Sequence, residues 1–140
     1  MARLVGIDYG SRRIGIAVTD TQQLIATGLK TLKNVETIDF LRLYLQKEPV
    51  EAFIVGYPIR LNGQESQATK ESNQFVEKLK KNFPDLPVYR VDERFTSKMA
   101  SQAILMSGVK KKGRQDKELI DTVSATIILQ SFLEQKNNQL

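Results

Sequence analysis

Three acidic residues, Asp8, Glu93 and Asp121, lie within or directly after apolar stretches of the sequence. Asp8 ends the apolar run that begins at Leu4, and strand alternation places its side chain on one face with Leu4 and Gly6. Glu93 follows a second apolar run. Asp121 shares a helical face with Ala125, Ile128, Leu129 and Phe132. Brought together, three carboxylates cannot all stay ionised without a cation, and Mg²⁺ or Mn²⁺ prefers such oxygen ligands.

The residue types that are missing narrow the chemistry further. The chain has no cysteine and no histidine, which excludes thiol nucleophiles, Ser-His triads and the usual zinc sites. Carboxylates, hydroxyls and lysines remain. Two divalent ions held by carboxylates can activate water and stabilise the leaving oxygen of a phosphodiester without any histidine. Metal-dependent phosphodiester hydrolysis is therefore our mechanistic hypothesis.

A structural role is open for each acid at this point. Asp8 is also suited to capping the Gly10-Ser11 turn, and Asp92-Glu93-Arg94 reads equally as a solvated, charge-balanced turn. Asp121 would gain from the helix dipole near a helix N-terminus. Only the fold decides whether the three meet.

Basic residues suggest the partner. Lys and Arg total 21 against 16 Asp and Glu, giving a net charge of +5, which favours an anionic partner such as nucleic acid. A basic segment directly before the helix of Asp121 would follow a phosphate backbone, although a solvated loop is the alternative. A strand-flanking role for Arg13 is equally open. The predicted nucleic-acid-binding residues are Arg12, Arg13, Arg94, Lys110, Lys111, Lys112 and Arg114.

Hydrophobic periodicity predicts the elements that must position these residues. Two strands between Leu4 and Thr19 form a hairpin, and a third follows over Ala26–Leu32. Asn34 is a predicted N-cap for a helix over Glu36–Lys47. The remaining predictions are a strand at Phe53–Val55, a helix over Glu65–Asn82, a strand at Val88–Val91, a helix starting near Thr96 and a long helix over Asp116–Glu134.

This order predicts an α/β fold with a mixed five-stranded sheet, three antiparallel strands followed by parallel ones, flanked by helices. The 140 residues suit one domain, residues 1–140. Ligands in such sheets bind at the carboxyl ends of the parallel strands. No apolar run is long enough to span a membrane, and Asp8 comes too early for a signal peptide, so we expect a cytoplasmic protein. Monomer and homodimer stay open.

Short motifs along essentially the whole chain resemble the YqgF family of bacterial nucleases, described both as Holliday junction resolvases and as pre-16S ribosomal RNA processing nucleases. Each motif is weak alone, whereas the ordered set is specific. The motifs are Gly6-Ile7-Asp8-Tyr9-Gly10, Arg13-Ile14-Gly15-Ile16-Ala17-Val18 with Asp20, Val55-Gly56-Tyr57-Pro58 with Asn62-Gly63, Asp92-Glu93-Arg94 with Thr96-Ser97, and Asp121 with Ser124-Ala125 and Ile128-Leu129-Gln130.

The resemblance implies a ribonuclease H-like fold and phosphodiester cleavage with Mg²⁺ or Mn²⁺, in which Asp8, Glu93 and Asp121 match the acidic site. In related resolvases an acid ends the fourth strand, whereas here that strand ends at Gly56, so Glu93 must replace it from the next strand. Ser124 stands where an alanine is common, a small-for-small exchange expected to be harmless.

The expected function is a metal-dependent endonuclease for the 5′ end of pre-16S ribosomal RNA. The alternatives are a Holliday junction resolvase in DNA recombination and repair, and a non-catalytic nucleic-acid binding factor. Structured RNA and branched DNA are both open as substrates. Gly6–Ser11 also resembles the first phosphate loop of actin-like and sugar-kinase phosphotransferases, but those enzymes close two such domains around a nucleotide and this chain has room for one.

Overall fold

The computed structural model describes residues 1–94 and 117–138. Five strands, three helices and one short 3₁₀ turn make up these residues. In chain order they are β1 (Arg3–Asp8), β2 (Arg13–Thr19), β3 (Ala26–Lys33), the 3₁₀ turn (Asn34–Glu36), α1 (Thr37–Lys47), β4 (Val50–Tyr57), α2 (Gln67–Asn82), β5 (Val88–Asp92) and α3 (Lys117–Asn138).

The strands form one sheet in the order β3-β2-β1-β4-β5. The first three strands pair antiparallel, and β4 pairs parallel with both β1 and β5. This confirms the predicted mixed five-stranded sheet. Because Ile7 lies beside Val55 and Tyr57 lies beside Asp92, the carboxyl ends of the three parallel strands reach the same edge of the sheet.

Helices cover both faces of the sheet. One face packs against α1 and α2 through a core that includes Ile7, Phe53 and Leu79, and the other packs against α3 through a core that includes Leu4 and Leu129. The alternation predicted for β1 is confirmed. The side of β1 that carries Leu4 and ends in Asp8 therefore faces α3.

Several element boundaries differ from prediction. β4 begins at Val50 rather than Phe53, because Val50 and Ala52 already pair with Arg3 and Leu4 of β1 before the apolar run starts. Asn34 does not cap α1, which begins only at Thr37. Instead, the Asn34 side chain donates to the carbonyl of Gly10 at 2.8 Å.

The later helices also shift at their ends. α2 begins at Gln67 rather than Glu65, because Ser66 is its N-cap and exchanges hydrogen bonds with Thr69 in a capping box. α3 continues to Asn138. The helix predicted near Thr96 lies outside the described residues. No helix within 1–94 or 117–138 combines the length and apolarity that a membrane span requires.

Candidate active site

Two of the three predicted acids meet at the carboxyl edge of the parallel strands. Asp8 ends β1, and Glu93 stands one residue beyond β5, where its backbone N–H donates to the carbonyl of Tyr57 at 3.1 Å. The Asp8 carboxyl donates a hydrogen bond to the Glu93 carboxylate, and both groups are largely shielded from water. The sheet thus places side by side two residues that are separated by most of the chain.

The environment of this pair favours a shared proton over two negative charges. Burial raises the pKa of Asp8 well above its ordinary value, and the charge and hydrogen bond of Glu93 and the charge of Asp121 act in the same direction. Burial also raises the pKa of Glu93, although the hydrogen bond from Asp8 and the charge of Arg90 oppose that rise. Asp8 is therefore the proton donor of the pair and Glu93 the acceptor.

Gly56, the penultimate residue of β4, makes the meeting of Asp8 and Glu93 possible. A Cβ atom on Gly56 would lie 2.5 Å from the Glu93 carboxyl carbon and 2.8 Å from its Oε2, closer than van der Waals contact allows. The Glu93 side chain folds back over β4 into the space that a side chain at Gly56 would fill. The sequence predicted that the fourth strand ends at Gly56, whereas β4 continues to Tyr57 because Tyr57 still pairs with Asp92. The missing side chain at Gly56 is the physical reason why Glu93, one residue beyond β5, can supply the acid that β4 lacks.

The neighbours of Glu93 face the other way. Asp92 pairs with Arg94 at 2.6 Å, and the hydrogen bond from Arg94 holds the pKa of Asp92 below its ordinary value. The solvated, charge-balanced turn fits Asp92 and Arg94. It does not fit Glu93.

Asp121 lies on α3 and forms an ion pair with Arg13, whose Nε is 3.1 Å from its Oδ2. A Cβ atom on Gly15 would overlap the backbone carbonyl of Asp121, so α3 rests directly on β2 at this point. Asp121 also acts electrostatically on Asp8. Within the described ranges no three carboxylates are gathered around one cation-sized position; the arrangement is a carboxyl pair with a third acid held nearby by an arginine.

Arg90 on β5 supports the site and was not singled out by its sequence. Its guanidinium donates to the carbonyl of Gly56 at 2.9 Å, to Ser72 Oγ at 2.6 Å and to Asn73 Oδ1 at 2.9 Å. It thereby joins the ends of β4 and β5 to α2 directly behind Glu93. A cation inside an otherwise apolar strand is the signal that could have identified it.

The predicted nucleic-acid-binding residues have different surroundings. Arg12 is exposed in the β1–β2 turn, whereas Arg13 and Arg94 are engaged with Asp121 and Asp92. The basic segment with Lys110, Lys111, Lys112 and Arg114 lies outside the described residues. Nucleic-acid binding by all seven residues stays a prediction.

Sequence comparison identifies relatives over nearly the full chain. The family model described as "RuvX: Holliday junction resolvase" matches residues 2–135. A protein of Phocaeicola vulgatus is 54% identical over 97% of this chain and 98% of its own length. One of Flavobacterium psychrophilum is 53% identical, with 97% and 99% covered. Both carry the name "Putative pre-16S rRNA nuclease".

Structural comparison agrees with the predicted fold. RuvC of T. thermophilus in complex with a Holliday junction substrate aligns with a TM-score of 0.58 and 16% identity, over 97% of this chain and 96% of that one. A second Thermus thermophilus RuvC structure gives a TM-score of 0.54 at 15% identity, with 96% of each chain covered. These likenesses confirm the ribonuclease H-like fold. The sequence match establishes that the chain belongs to the RuvX family, as its resemblance to YqgF proteins predicted, and that it is a nuclease.

Proposed function

We propose that this nuclease is a metal-dependent endonuclease that processes the 5′ end of pre-16S ribosomal RNA in the cytoplasm, with Asp8, Glu93 and Asp121 as its catalytic and metal-binding acids. The observation that carries the proposal is the buried, hydrogen-bonded pair of Asp8 and Glu93 at the carboxyl edge of the parallel strands. The relatives named as pre-16S rRNA nucleases, at 53% and 54% identity, support the substrate.

The chemistry of the acid pair fits a divalent cation. Burial of two adjacent carboxyls makes double ionisation costly, and a bound divalent cation would offset that cost, as the proton on Asp8 does. The donors are all hard oxygens, which suit Mg²⁺ or Mn²⁺. Asp121, which is paired with Arg13, would be the third ligand of such a cation.

Each residue then has a distinct role. When bound, Mg²⁺ or Mn²⁺ supplies an activated water and neutralises charge on the phosphate. Asp8 and Glu93 orient the reacting groups from rigid strand ends. Arg13, after releasing Asp121, is free to pair with a phosphate oxygen of the substrate.

A four-way DNA junction is the second candidate substrate, favoured by the description of the family model and by the RuvC-like fold. Cutting two symmetric strands of a junction requires two active sites. A homodimer would therefore accompany junction resolution, whereas a monomer suffices for RNA processing.

The decisive experiment compares cleavage of a pre-16S ribosomal RNA 5′ fragment and a synthetic four-way DNA junction, each with Mg²⁺, Mn²⁺ or chelator. The proteins are the wild type, Asp8→Asn, and the matched control Asp39→Asn, whose carboxylate is exposed on α1. We expect the wild type and Asp39→Asn to cut the RNA only with metal, and Asp8→Asn to lose at least about 100-fold in rate.

Calorimetric titration of Mg²⁺ into the three proteins tests the metal site independently of cleavage. We expect Asp8→Asn alone to lose binding. Preferential cutting of the junction would make the protein a resolvase instead. If the wild type binds both substrates without cutting them and shows no Mg²⁺ binding in the calorimetric titration, the result supports the non-catalytic binding factor.

A further inference from the structure

A cleft of about 740 Å³ opens beside Asp121, between the β1–β2 turn and the end of β3. Cations line both of its walls: Arg12 comes from the turn, and Lys30 and Lys33 come from β3. Arg13, which also lines it, is already paired with Asp121. Of the described residues that line the cleft, Glu36 is the one further acid. The cleft therefore carries excess positive charge next to the proposed site.

The walls of the cleft are held in place by contacts that do not involve a ligand. Asn34 binds the β1–β2 turn twice, from its side chain to the carbonyl of Gly10 at 2.8 Å and from its backbone N–H to the carbonyl of Arg12 at 2.9 Å. The Lys30 ammonium lies 5.8 Å from the ring centre of Phe40, a cation–π contact. Little ordering of the walls would be needed on binding, which favours affinity.

We propose that this cleft binds the sugar–phosphate backbone of the substrate strand next to the scissile phosphate, through Lys30, Lys33 and Arg12. The inference rests on the proposed function, because it is the position beside Asp121 that makes the cleft a continuation of the active site. Its volume is that of a small-ligand pocket. It admits a short stretch of one strand rather than a double helix.

Lysines on an edge strand also have a simpler use, since they discourage pairing with the edge of another sheet. That role explains Lys30 and Lys33 separately. It does not explain why Arg12 from another element lines the same cleft, nor why the cleft adjoins Asp121. Convergence of cations from two elements on one concave surface is expected of a phosphate-binding groove.

Binding can be measured without cleavage in an Asp8→Asn background with chelator. Short labelled single-stranded RNA and DNA of one sequence are titrated by fluorescence anisotropy over a range of salt concentrations. We expect Lys30→Gln with Lys33→Gln to weaken binding about tenfold at low salt. Loss of two phosphate contacts should also reduce the slope of log K against log salt by about 1.4. The double variant should bind both RNA and DNA more weakly. The nucleic acid that loses more affinity is the one that the cleft accommodates.

Two further variants separate the cleft from general charge and from folding defects. Lys78→Gln with Lys81→Gln removes the same charge from α2, which packs over β4 and β5 away from the cleft, and should leave binding unchanged. Glu36→Gln removes the acid from the cleft and should tighten binding, a gain that misfolding cannot produce.

The proposal is overturned if the Lys30 and Lys33 double variant binds like its Asp8→Asn parent, or if the α2 double variant loses as much affinity. This result is independent of the nuclease mechanism. A wild type that cuts nothing with metal, combined with a specific loss of binding in the Lys30 and Lys33 variant, would refute the proposed catalysis and leave the cleft as a binding site.

Discussion

At the scale of single residues, the acid pair depends on the absence of a side chain at position 56, which is a glycine. Asp8 and Glu93 can share a proton because Gly56 leaves the space that the Glu93 carboxyl occupies. Asp92 is next to Glu93 in the sequence, yet it points outward to Arg94. Asp92 and Glu93 thus differ in the direction of their side chains, and the free space over β4 is what allows Glu93 to turn inward as a candidate catalytic acid.

Gly56→Ala should therefore inactivate the enzyme while leaving it folded. The new Cβ would meet Glu93 Oε2 at 2.8 Å, and the end of a flexible side chain can move aside more easily than the backbone. A displacement of about 1 Å in a catalytic group costs roughly 100-fold in rate. We expect that loss in the cleavage assay, with a thermal unfolding midpoint close to that of the wild type.

A double-mutant cycle shows whether Gly56 acts through Glu93. If it does, Gly56→Ala adds little further loss in a Glu93→Gln background, because the displaced carboxylate is already gone. Additive losses in rate would contradict this explanation. So would a Gly56→Ala enzyme that cuts as fast as the wild type.

At the scale of elements, Arg90 joins β4, β5 and α2 through the planar fork of donors that only arginine has. Arg90→Lys keeps the charge but cannot reach the same acceptors together, which leaves half-buried polar groups without partners. We expect it to lower the free energy of unfolding by about 1–3 kcal/mol, measured by urea denaturation.

The matched control for this prediction is Arg42→Lys. Arg42 is exposed on α1 and donates to Asn82 at 2.9 Å, so its replacement should change stability by no more than about 0.5 kcal/mol. Equal effects of the two substitutions would mean that the position of Arg90 behind the acid pair has no special structural importance.

The elements themselves were largely predictable, because local periodicity determines them. The alternation in β1 correctly predicted that Asp8 lies on the α3 side of the sheet. The apolar stripe of α3 correctly predicted that Asp121 faces the sheet. The N-cap assigned to Asn34 was wrong because its side chain binds the carbonyl of Gly10, 24 residues away. Local pattern carries no information about such a remote partner.

At the scale of the whole molecule, the same limit explains what the sequence could not predict about the site. The inward turn of Glu93, the ion pair of Arg13 with Asp121 and the cleft around Lys30 all depend on how distant elements approach one another. A cation on an edge strand has an ordinary structural use. Only the assembled sheet reveals that it lines a concave surface.

The assembled site also affects the stability of the whole fold. Because burial and Glu93 raise the pKa of Asp8 above its value in the unfolded chain, the folded protein binds a proton that the unfolded protein releases. Stability without metal is therefore highest below the unfolded pKa of the aspartate, and it falls as pH rises from there through the folded pKa. At pH values above the folded pKa, the folded protein bears the full free-energy cost of ionising Asp8 in its buried position.

Asp8→Asn should consequently be more stable than the wild type at neutral pH in chelator, since an amide cannot ionise and can still donate to Glu93. Toward acidic pH the gap should close, because Asp8 is then protonated in both states. Saturating Mg²⁺ should narrow it at neutral pH by stabilising only the wild type. Urea denaturation over a range of pH measures all three effects. The control is Asp39→Asn, which replaces an exposed carboxylate and should show none of them. An Asp8→Asn protein no more stable than the wild type at neutral pH would mean that the buried acid pair carries no energetic penalty.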